Sequence, residues 1–147
     1  MRKVVINSCY GEFILSNEAI EMLYKMKHPD KEIFPYKRKY NWKDSNIKYT
    51  KCPLEDADEL FSRDFGNDFT VSTSDSSTSD FLIREGWDSR HDPDLIKVVE
   101  TLGDKASGHY AKLEIVEIDD NEKYIIDEYD GFESLVTLSG IKNWDWK

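Results

Sequence analysis

The sequence predicts an α+β domain: a small sheet with two main helices packed on one side and an irregular central insert. Three observations predict it. A β-branched apolar run, Val4-Val5-Ile6, opens the chain, and two strand-like runs, "KLEIVEID" and "KYIIDEYDG", lie near its end. Two segments between them carry apolar residues at helical spacing and start on good caps. The order of elements is β-α-insert-α-β-β, with no internal repeat, which fits two layers around one core over residues 1–147.

Val4 to Ile6 form a short buried strand. Ser16 is a helix cap, Glu18 lies in the first turn, and Ala19, Ile20, Leu23 and Met26 recur on one face. His28-Pro29 ends this helix near Lys27, because the residue before proline is pushed out of the helical region. Residues 31–88 form the insert. Within it, Cys52 to Gly66 holds a short helix with Pro53 in its first turn, and the Ser/Thr/Asp run at 72–80 is an exposed, mobile loop. Asp92-Pro93-Asp94 opens the second helix, whose apolar face is Leu95, Val98, Val99, Leu102 and Ala106. The last two strand runs are joined by Asp119-Asp120-Asn121-Glu122, which predicts a β-hairpin. The closing "GIKNWDWK" offers two tryptophans for packing.

With 147 residues, 39% hydrophobic and 13% aromatic, the chain is long enough and apolar enough for a core. No apolar run approaches the roughly 18 residues of a membrane helix, and the N-terminal apolar run is too short for a secretory signal. Two cysteines, Cys9 and Cys52, point to a reducing compartment without a disulfide framework. A soluble cytoplasmic protein with no membrane partner is expected. The net charge is −10, so direct nucleic-acid binding is not expected. The charge is uneven: residues 1–51 hold 11 Lys and Arg against 6 Asp and Glu, and residues 52–147 hold 9 against 24.

Four constellations are candidates for function. The loop Asn7-Ser8-Cys9-Tyr10-Gly11 joins a strand to a helix, a geometry that presents backbone N–H groups to an anion. Arg90, His91 and Asp92 crowd the second helix start, where an anion can also be held, although capping alone explains Asp92. Asn7, Cys9, Tyr10, Gly11, Arg90, His91 and Asp92 are therefore the candidate ligand-binding residues. Tyr36, Lys37, Arg38, Tyr40 and Trp42 interleave aromatics with cations and are candidate partner-binding residues. The acidic strands form a solvated face that can also imitate nucleic acid toward a basic protein. The chain has no calcium-loop pattern, no H-E-x-x-H, no paired C-x-x-C, no phosphate-binding glycine motif and no Cys–His signature. No catalytic residue, metal or cofactor is therefore assigned.

The opening "VVINSCYGEFILSNEA" resembles the start of a widespread family of small phage- and prophage-encoded proteins, I-N-x-C-[FY]-G-G-F-x-L-S. Ile6, Asn7, Cys9, Tyr10, Gly11, Phe13, Leu15 and Ser16 match. The family's second half resembles R-x-D-P-x-L-[IV]-x-V-V-E-x-L-G-x-x-A-x-G, then V-E-I, then E-Y-D-G-x-E. Matches run from Arg90, Asp92 and Pro93 through Gly103, Ala106 and Gly108 to Glu128, Tyr129, Asp130, Gly131 and Glu133. The likeness covers about half of the chain and leaves out the insert. Two departures are Glu12, where the family has a second glycine, and the ending "IKNWDWK". The resemblance implies a phage genetic context and not a mechanism; with the acidic surface and the lack of a catalytic signature, the expected function is a phage accessory protein that binds and antagonises a host defence or regulatory factor without catalysis. The alternatives are a sponge for a nucleotide-derived signal, or a small nucleotide-directed hydrolase. The expected partners are a host protein or a small nucleotide-like ligand, with a second copy of the chain as a further candidate.

Overall fold

The computed structural model describes residues 1–75, 77–84 and 86–138. The fold is mixed α+β, with eight strands in small antiparallel sheets and two α-helices among the described residues. The chain divides into two compact units. Unit 1 is Met1–Ala19 with Trp87–Lys147, and unit 2 is Ile20–Gly86.

In unit 1, β1 (Arg2–Asn7) pairs antiparallel with β6 (Leu113–Ile118), with Val5 opposite Ile115. Val4 and Val5 point to opposite faces of this ribbon, and both are fully buried. Val4 and Ile6 pack with Ile118, Val116 and with Tyr124, Ile126 and Leu135 of the hairpin β7 (Tyr124–Tyr129) and β8 (Phe132–Thr137). On the other side lies α2 (Pro93–Leu102), which contacts β1 and β6 and buries Leu95, Val98 and Val99. Lys3, on the Val5 face, pairs with Glu100 of α2 at 2.5 Å.

The helix starts follow the sequence reading. The Asp92 carboxylate accepts from Asp94 N at 3.0 Å, Pro93 opens α2, and Gly103 (φ 58°) caps its end. The Ser16 hydroxyl accepts from Ala19 N at 3.1 Å at the start of α1 (Asn17–Lys27).

The expected hairpin does not form. β6 pairs with β1, and the hairpin is β7–β8, one strand further on. The reason lies in Asp130-Gly131, with φ of 49° and 85°. Positive φ at both central residues is what a tight two-residue hairpin turn requires. The longer acidic segment 119–122 only carries the chain from β6 to β7.

Unit 2 corrects the expectation of an irregular insert. β2 (Phe34–Asn41), β3 (Asn46–Lys51), β4 (Glu59–Phe61) and β5 (Asp68–Ser72) form a four-stranded sheet in the order β4-β2-β3-β5. One face is an aromatic core. Tyr36, Tyr49 and Phe61 are buried with Phe34, Ile47, Phe65, Phe69 and Val71 around them, and Tyr49 stacks on Phe69 at 4.8 Å. The helix expected in Cys52 to Gly66 shrinks to a 3-10 turn at Leu54–Asp56, because Glu59–Phe61 is drawn into the sheet beside β2. In the stretch expected to be a mobile loop, β5 runs to Ser72 and a 3-10 turn covers Ser77–Phe81. The tryptophans of "GIKNWDWK" lie outside the described residues.

Candidate functional site

The loop after β1 is held by Asn7, which is fully buried. Its side-chain amide donates to Cys9 O and Gly131 O, both at 2.9 Å, and its side-chain oxygen accepts from Lys112 N at 2.8 Å. Its backbone N–H donates to Glu133 Oε1 at 2.8 Å. Glu133, itself buried, also takes both arms of Arg90, at 2.6 and 2.8 Å. The guanidinium lies 3.6 Å over the Phe13 ring and 5.3 Å from Trp87, and donates to Val5 O at 3.3 Å. A bidentate pair of this kind is strong because both charges are fully used.

This network corrects the expected anion site. Asn7, Arg90 and Asp92 face inward, and their polar atoms bind the protein itself. Asp92 caps α2 and accepts from Asp88 N at 3.1 Å. His91 shares a 2.5 Å hydrogen bond between Nδ1 and the Tyr124 hydroxyl. Burial pushes the Tyr124 phenol up from its ordinary value. The Cys9 thiol donates to Tyr10 O at 3.4 Å.

Sequence reasoning missed Glu133 as the partner of Arg90, although both stand in the quoted motifs. It also missed the crossing of Gly11 and Gly131. Gly11 N donates to Asp130 O at 2.9 Å, and a Cβ on Gly131 would overlap the Gly11 carbonyl. The motif residues from the two ends of the chain are thus one another's structural partners.

What the crossing leaves outside is aromatic. Tyr10 is 64% exposed, Tyr110 71% and Tyr129 72%. Tyr10 sits 5.3 Å from the partly exposed Phe132 ring. Tyr110 adopts φ 61°, an uncommon conformation for a bulky residue. On the outer face of β7–β8 the cross-strand pairs are Ile125 with Val136, Asp127 with Ser134, and Tyr129 with Phe132. Ile125, Asp127, Tyr129, Phe132 and Ser134 are exposed. Glu12, Glu128 and Asp130 are exposed as well, Glu128 standing opposite Glu133 on the other face of the ribbon.

In unit 2, the candidate partner-binding residues separate. Tyr36 is fully buried and cannot meet a partner. Its hydroxyl donates to Gly66 O at 2.7 Å and accepts from Phe65 N at 3.0 Å. Lys37, Arg38, Tyr40 and Trp42 are exposed. Arg38 pairs with Glu59 at 2.9 Å. Lys39, Tyr40, Asn41, Trp42, Lys43 and Lys48 line an open recess of about 350 Å³.

Among the described residues, no group of three or more His, Cys, Asp or Glu is placed to hold a metal ion. No helix among them is long and apolar enough to cross a membrane. No family model matches the chain, and no curated protein or solved structure is similar to it.

Proposed function

We propose that the protein is a phage accessory protein that binds and antagonises a host protein in the cytoplasm of the infected cell, without catalysing a reaction. Its docking surface is the outer face of β7–β8 together with Tyr10. The observation that carries this reading is the exposed strip of Ile125, Tyr129 and Phe132, with the carboxylate of Asp127 within it. Exposed tyrosines on a rigid hairpin supply large contact area at little entropic cost and are typical energetic centres of interfaces. The Asp127 carboxylate and the net charge of −10 favour a basic partner and speed its approach. Asn7, Arg90 and Asp92, candidates for holding a small ligand, are bonded within the fold, which favours a protein partner over a small ligand at this loop.

The test is native mass spectrometry after incubation with lysate of a bacterial host, comparing wild type with Tyr10→Ala/Tyr129→Ala. A protein retained by wild type, released at raised salt and lost from the double variant supports the reading. Equal retention by both proteins sinks it. So does the absence of any retained protein.

A further inference from the structure

The second face of the unit 2 sheet carries an unusual charge arrangement. The face opposite the aromatic core presents Lys37, Lys39 and Asn41 from β2 and Asn46, Lys48 and Thr50 from β3. Lys39 and Lys48 stand directly opposite each other across the two strands. Like charges in that position destabilise a sheet. Two other cations at the sheet are compensated, Arg38 by Glu59 and Lys51 by Asp64. Lys39 and Lys48 have no such carboxylate among the described residues. Residues 34–51 hold six cations (Lys37, Arg38, Lys39, Lys43, Lys48 and Lys51) against Asp44 alone, in a chain of net charge −10.

The opposed lysines do not stand alone. The hairpin loop adds Lys43 and Trp42, and Trp42 is 71% exposed. Together with Tyr40 and Asn41 these side chains line the same recess. Its volume of about 350 Å³ falls at the lower end of the range for small-ligand sites. An indole in water beside uncompensated ammonium groups suits a ligand with a flat π-face and a negative group close to it. The Asn41 amide holds the loop in shape, donating to Asp44 Oδ2 at 3.0 Å and accepting from Lys43 N at 3.1 Å.

We propose that this recess binds a phosphorylated nucleobase unit, the base stacked on Trp42 and the phosphate held between Lys39 and Lys48, with Lys43 adding charge. The unit can come from a free nucleotide or from a nucleotide within a single strand, since both present the same base and phosphate. The phosphate relieves the repulsion between the two lysines, so ligand binding and sheet stability rise together. This site lies in unit 2 and is independent of the docking face proposed for unit 1.

The experiment is isothermal titration of the full chain with ATP, with a short oligothymidylate, with inorganic tripolyphosphate and with polyglutamate, at low salt and at about 0.15 M salt. The expected result is binding of ATP or of the oligonucleotide, weakened about tenfold or more in Trp42→Ala and in Lys39→Gln/Lys48→Gln. Preference for ATP identifies a free nucleotide as the source. Affinity that grows with oligonucleotide length identifies a strand. Tripolyphosphate or polyglutamate binding as tightly as the nucleotides would overturn the site, as would unchanged affinity in both variants or no nucleotide binding at millimolar concentration. A second measurement needs no ligand. Lys39→Glu should raise the melting temperature of the free protein while abolishing nucleotide binding. A lowered melting temperature with intact binding contradicts the proposal.

Discussion

Arg90 and Glu133 show how much one residue pair can fix. Their side chains are largely withdrawn from water, and each is the other's charge partner. Removing one member strands a buried charge, which costs about 3–5 kcal/mol. Arg90→Ala and Glu133→Ala should each lower stability by that order in urea unfolding. The double variant Arg90→Met/Glu133→Leu should recover much of the loss, because it leaves no orphaned charge. A second residue-scale effect is titratable. Burial, then the 2.9 Å hydrogen bond to Glu59, push the Tyr49 phenol up to about 12 from the ordinary 10.0. The folded chain therefore holds this proton more tightly than the unfolded chain. Its contribution to stability is complete below pH 10, declines through the interval up to about 12 and is gone above it. Ultraviolet titration of the tyrosines should show one phenol ionising near 12, and Tyr49→Phe should remove that step.

At the scale of elements, the turns decide the pairing. Asp130-Gly131 is a short and specific hairpin signal, and it outranks the acidic segment 119–122 that the sequence reading favoured. Gly131→Ala should cost on the order of 2–3 kcal/mol, from strain at φ 85° and from overlap with the Gly11 carbonyl. Thermal unfolding measures it, and a change below about 0.5 kcal/mol would mean that the crossing gives way freely. The helix starts were legible because their signals are local: Ser16 and Asp92 as caps and Pro93 in the first turn. The unit 2 sheet was not legible. Its strands are three to eight residues long, and on β2 and β3 lysines fill the outward positions between the aromatics. Period-two alternation over so few residues is a weak signal, and what makes those strands is side-chain packing against the neighbouring strands rather than local propensity. The Arg90 site was half legible. The motif residues stood out, but a charge partner 43 residues away cannot be read from spacing.

At the scale of the whole molecule, the two units differ in how the chain builds them. Unit 2 is one continuous stretch, and its strands pair with near neighbours in sequence, β2 with β3 and β3 with β5. Unit 1 is assembled from the two ends, and Asn7 meets Glu133 across 126 residues. Distant contacts carry a larger loop-closure cost and form late. In refolding of the full chain followed by pulsed hydrogen exchange, the amides of β2 and β3 should be protected before those of β1 and β6. The reverse order would refute this. The same geometry bears on synthesis. On a ribosome adding about 5–20 residues per second, Val4, Val5 and Ile6 emerge well before β6 and β8. For that interval the nascent chain carries a sticky, unpaired strand, the kind of segment a chaperone at the exit tunnel shields until its partners arrive.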